Sequence, residues 1–137
     1  MKTLLGYLIF SLMLLSLTTL SLGQTTAAEE AKHHFDRGIV AIDSANSPAG
    51  YEEAIREFEQ ALKLVPNWAD LYYNLGLVQE KAEKYDAAIK SYRQYLKLAP
   101  QADDAAQVMR QLNKLEDILE ETARQQQVPS LLEGEWK

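Results

Sequence analysis

Tyr51-Glu-Glu-Ala-Ile-Arg-Glu-Phe-Glu-Gln-Ala-Leu-Lys-Leu-Val-Pro66 superimposes without a gap on Tyr85-Asp-Ala-Ala-Ile-Lys-Ser-Tyr-Arg-Gln-Tyr-Leu-Lys-Leu-Ala-Pro100. The two stretches are 34 residues apart, and Tyr, Ala, Ile, Gln, Leu, Lys, Leu and Pro recur in register. A fixed period of this length is the mark of stacked supersecondary units. In each copy Ala54 or Ala88, Phe58 or Tyr92, and Ala61 or Tyr95 follow the i, i+4, i+7 spacing of one helix face. Each copy is therefore an amphipathic helix. Glu52, Glu53 and Asp86 fall in the first turns, where the helix dipole favours negative charge, and Pro66 and Pro100 end the helices.

Ahead of the second copy, Trp68 to Ala82 carries Leu71, Tyr72, Leu75 and Val78 at helical spacing, with Gly76 offering a point of close approach. Only Glu83 and Lys84 separate this helix from the next, so the two run antiparallel. Tyr72, Leu75, Gly76, Tyr85, Ala88, Tyr92 and Pro100 together resemble the tetratricopeptide repeat signature. The resemblance implies that Gly76 and Ala88 are small because the paired helices touch there. It also implies an all-α fold, a short right-handed α-solenoid of two helix-turn-helix repeats with a long C-terminal capping helix.

The first repeat, residues 29–66, is less regular. Gly38 lies thirteen residues before Tyr51, whereas Gly76 lies nine before Tyr85, so four residues are inserted. They fall between Asp43 and Gly50, among the loop formers Ser44, Asn46, Ser47, Pro48 and Gly50. The second repeat spans 69–100. Residues 101–127 form the cap, a helix from Asp103 to about Gln126 with Ala106, Met109, Leu112, Leu115, Ile118 and Leu119 at helical intervals. Arg110, Asn113, Lys114, Asp117 and Glu121 supply the polar outer face that a stack end needs. A tail, 128–137, lies outside the pattern and carries Leu131, Leu132 and Trp136. Two repeats and a cap are few, so completion of the core by self-association is an alternative to a solitary chain.

Residues 1–23 hold one charge, Lys2, followed by an apolar run from Leu4 to Leu22 and the small residues around Gly23. This reads as a signal peptide cut at Gly23 or Ala28, with an uncleaved anchor through residues 4–22 as the alternative. The expected location is exported, periplasmic or secreted. No cysteine is present, which excludes disulfides, thiolate metal sites and thiol-linked lipid. Without Lys2, 13 basic residues face 20 acidic ones, a net charge of 13 − 20 = −7. That field disfavours nucleic acid and suits basic or neutral polypeptide partners.

Little in the chain points to catalysis. His33 and His34 are helix neighbours about 100° apart and cannot chelate as an i, i+4 pair would; His34 is expected to pack at the place Tyr72 takes in the second repeat. Glu52-Glu53, Asp103-Asp104 and Glu120-Glu121 lie at helix starts or on polar faces, and the six scattered glycines make no phosphate loop. No enzyme activity and no cofactor are expected.

The family resemblance directs attention instead to first-helix positions, which line a concave groove. Transferred by register, these are Phe35 and Ile39 from the first repeat, Asp70, Tyr73, Leu77 and Lys81 from the second, and Gln107 and Gln111 from the cap. Burial of several of them by neighbouring helices or the tail is the competing reading. Asn74 fits the family, but Leu77 stands where a carboxylate-gripping groove would carry a second Asn. Tyr73 and Leu77 suit an apolar or extended peptide segment. The chain is thus expected to be a protein-interaction adaptor or scaffold. The alternatives are a structural subunit that self-associates and an accessory domain of an envelope enzyme system.

Overall fold

The computed structural model describes residues 26–133, with side chains as far as Gln127. Among the described residues there are five α-helices, one 3-10 turn and no strand. Helix α1 covers residues 26–44. The 3-10 turn Pro48–Tyr51 leads into α2, Glu52–Leu64, and then follow α3, Ala69–Lys81, α4, Tyr85–Leu98, and α5, Ala105–Glu133. The segment read as a leader, residues 1–23 with the apolar run 4–22, lies outside the described residues. Among those described, no helix is long and apolar enough to cross a membrane.

Local chemistry sets the helix limits. Helices α2, α3 and α4 each begin with acidic residues and end with a lysine, Lys63, Lys81 or Lys97, as the helix dipole favours. Val65 and Ala99 leave the helical region at φ −131° and −130°, because the proline that follows each of them disfavours helical geometry. The α3–α4 turn closes differently. Glu83 takes φ 59°, its N–H donates to the Glu80 carbonyl, and the Lys84 N–H donates to the Gln79 carbonyl. This is the Schellman pattern with a non-glycine residue in the left-handed place.

Helix α3 is apolar on two sides and sits between two cores. Leu71, Leu75 and Val78 join Ala54, Phe58 and Ala61 of α2 and Ala31 of α1. Tyr72, Tyr73 and Leu77 turn the other way, onto Ala88, Tyr92 and Tyr95 of α4 and Val108, Leu112 and Leu115 of α5. Each fully buried large side chain, such as Phe58 or Leu71, contributes about 1.5–3 kcal/mol of hydrophobic stabilisation. Within each pair a glycine admits an aromatic ring: a Cβ on Gly38 would lie 2.6 Å from Phe58 Cδ1, and one on Gly76 2.6 Å from Tyr92 Cε1. Between the cores, Ser91 Oγ donates to buried Gln79 Oε1 at 2.7 Å. No buried side-chain N or O among the described residues lacks a partner.

The capping helix differs from its expected form in extent and in register. It begins at Ala105 and continues through Pro129 to Glu133, so the described part of the tail extends α5. Its buried stripe is Val108, Leu112 and Leu115, again at i, i+4, i+7, while Ala106 is exposed and Met109 is 47% exposed. The expected Ala106 and Met109 stripe used steps of three residues, which drift around a helix of 3.6 residues per turn.

Candidate functional site

A cleft of about 470 Å³ opens between α3 and α5, with α4 beneath it. Helix α3 contributes Tyr73, Leu77, Glu80 and Lys81, one face followed at the spacing of a helix turn. Gln107, Gln111 and Lys114 come from the opposite wall on α5, and Tyr85 and Tyr92 from α4. Five residues expected in a groove therefore meet here: Tyr73, Leu77, Lys81, Gln107 and Gln111.

Three others do not join them. Phe35 lies in the first core, stacked on Phe58 at 5.6 Å between ring centroids and tilted against Trp68 at 5.2 Å. Ile39 packs on the same core. Asp70 is exposed, and its carbonyl accepts a hydrogen bond from Asn74 Nδ2 at 2.8 Å. Tyr73 is only half exposed to the cleft, because its ring rests against Tyr95 at 5.5 Å and Tyr92 at 6.3 Å.

The polar centre of the cleft is Glu80, which the groove register did not select. Its Oε2 accepts from the Tyr92 hydroxyl at 3.1 Å and its Oε1 from Gln111 Nε2 at 2.5 Å. Burial, and then the adjacent Glu80 carboxylate, raise the Tyr92 phenol well above its ordinary value, so it remains a donor. Tyr95 donates to Asp104, and that hydrogen bond, with burial, pushes its phenol up to about 12. Glu80 stands seven residues after Tyr73, so the face bearing Tyr73 and Leu77 already pointed to it. Ile118, from the cap's apolar stripe, and Lys114, expected on its outer face, also line the α5 wall; the cap has no second copy from which to read their register.

At the open end of the stack, between α1 and α2, a shallower depression includes His33, Arg37, Val40 and Glu57. Its charges neutralise one another. His34 Nδ1 lies 2.7 Å from Glu57 Oε2, to which Arg37 Nε also donates at 3.0 Å. His34 thus meets a carboxylate where Tyr72, its counterpart, packs on apolar neighbours. Burial would raise the Glu57 carboxyl, but the hydrogen bonds from His34 and Arg37 and their charges outweigh it and hold the group below its ordinary value. Among the described residues no group of three or more His, Cys, Asp or Glu is placed to hold a metal ion.

No curated protein matches the chain. Residues 44–113, half of its length, match the tetratricopeptide repeat family. That stretch contains both aligned segments, α2 to α4 and the start of the cleft wall on α5. With two glycine-to-ring helix pairs stacked through α3, the chain belongs to the tetratricopeptide repeat family.

Proposed function

We propose that this protein is an exported, non-enzymatic adaptor that holds a peptide segment of a partner protein in the α3–α5 cleft. Tetratricopeptide repeats generally mediate contacts between proteins, through the concave surfaces that stacking creates. The observation that carries the reading is the cleft itself, where the apolar surface of Leu77 and Tyr73 lies between amide and charged groups able to orient a backbone. Export rests on the charge and hydropathy pattern of residues 1–23, which suits a periplasmic or secreted protein.

The test is a cross-linked pull-down of the tagged mature chain from its native envelope fraction. It is run beside Tyr73→Ala/Leu77→Ala and, because Tyr73 also packs on two other tyrosines, beside the exposed wall variant Gln107→Arg. A partner captured by the wild type and lost from both variants, with thermal melts still cooperative, supports the cleft. Unaltered capture by both removes it. Fractionation of cells expressing the full chain tests the export half, and a protein confined to the cytoplasm overturns that part.

A second reading, self-association, is favoured by one observation. From Glu120 to Gln127 every residue of α5 is exposed, in contrast to the buried stripe Val108, Leu112 and Leu115 that precedes it. Light scattering of the mature chain with and without Val128 to Lys137 decides it, and a concentration-independent monomer in both forms counts against it. An accessory role beside an envelope enzyme is the adaptor reading with an enzyme as partner.

A further inference from the structure

We infer that the α3–α5 cleft selects a basic side chain, lysine or arginine, carried on an otherwise apolar peptide segment, with the Glu80 carboxylate as its counter-ion. The inference rests on the peptide-binding reading of the cleft and names the chemistry of what binds.

Glu80 is half-buried, and both of its hydrogen bonds come from neutral donors, the Tyr92 hydroxyl and the Gln111 amide. An ionised carboxylate offers about four acceptor positions, so about half of them are unused. Among the described residues no Lys, Arg or His forms an ion pair with it. Glu57 and Glu52, also half-buried, have Arg37 with His34 and Lys84 respectively, and exposed Glu53, Glu120 and Glu121 each have an Arg. A partly desolvated carboxylate without a counter-ion gains more from an incoming cation than an exposed one does.

The surroundings favour the same occupant. The rings of Tyr73 and Tyr85 at the cleft wall attract cations, and Leu77 offers cover for an aliphatic stem. Two lysines also line the cleft, but neither controls its floor. The Lys81 ammonium sits 5.9 Å above the Tyr51 ring, on the side of the first repeat, and exposed Lys114 is screened by solvent and free to swing away. The whole chain, at net charge −6, draws basic segments toward it.

The experiment pans a displayed library of random peptides on the mature chain and on Glu80→Gln, whose amide oxygen can accept from Gln111 while its NH2 donates to the Tyr92 hydroxyl oxygen. Peptides enriched on the wild type are expected to share a Lys or Arg between apolar residues. On Glu80→Gln the basic preference disappears and the apolar one stays. A selected peptide should bind Glu80→Gln about tenfold more weakly. Its lysine-to-norleucine analogue should lose about as much on the wild type and nothing further on the variant. That peptide-side substitution reads the contact without altering the fold. Neutral or acidic enriched sequences, or a basic preference that survives Glu80→Gln, overturn the inference while leaving the cleft intact. Selected peptides that bind equally to Tyr73→Ala/Leu77→Ala and Gln107→Arg overturn the inference and the cleft reading together.

Discussion

The two helix pairs use the same contact and put different aromatics into it. Gly38 lies under Phe58 and Gly76 under Tyr92, and both rings are almost completely buried. Phe58 ends in hydrocarbon, stacked on Phe35, with Trp68 closing over Phe35 from the link after α2. Tyr92 carries one more oxygen, and that oxygen reaches Glu80 in the cleft. The place of Trp68 is taken 34 residues later by Ala102, which has no ring to lay over Tyr73. On the groove side the first pair is closed by Phe35 and Trp68 and the second is left open with a polar floor, a contrast that follows the exchanges of Phe58 for Tyr92 and Trp68 for Ala102 on one repeated backbone.

The strongest way to break the comparison is to fill the shared contact. Gly38→Val and Gly76→Val should each lower stability by about 3 kcal/mol in urea unfolding, because each new side chain meets a buried ring that cannot move aside. A valine tolerated at either position would mean that the pairs are not equivalent. Exchanging the aromatics sharpens the contrast at a smaller scale. Tyr92→Phe removes a donor from Glu80 and should cost about 1–2 kcal/mol, and Phe58→Tyr should cost a similar amount by burying a hydroxyl among apolar neighbours. If Tyr92→Phe is neutral in the same unfolding assay, the polar floor adds nothing to the fold.

The smallest effect separates the pairs by pH. Because the folded state holds the Glu57 carboxyl below the ordinary 4.5, its contribution is complete above about pH 4.5 and is lost as pH falls through the lowered value. Melting temperatures recorded down that acid limb should fall less steeply in Arg37→Gln than in the wild type. Parallel curves would show that the first pair gains nothing from its charged set.

Most of the architecture was legible because it is written twice. Ala54, Phe58 and Ala61, and their counterparts Ala88, Tyr92 and Tyr95, are all buried as their spacing requires. The cap is written once, and there the register slipped from Val108 to Ala106 and Met109. Carrying groove positions back from the second repeat to the first placed Phe35 and Ile39 beside Tyr73 and Leu77. Helix period alone cannot show that Trp68 fills the first groove. Glu80 continues the face of Tyr73 and Leu77, but a glutamate on a helix reads as solvated until a tyrosine and a glutamine are seen to converge on it.

One wall of the cleft is the terminal helix, held to α4 by Val108, Leu112 and Leu115 and by the Arg93–Glu116 ion pair at 2.5 Å. From Glu120 to Gln127 every residue of the helix is exposed. Occupancy of the cleft and docking of α5 are therefore linked equilibria: whatever bridges Leu77 to Gln111 favours the docked helix by the free energy with which the docked helix favours it. Amide exchange along residues 107–118 would register such an occupant as slower opening of the wall, even where the occupant itself gives no signal.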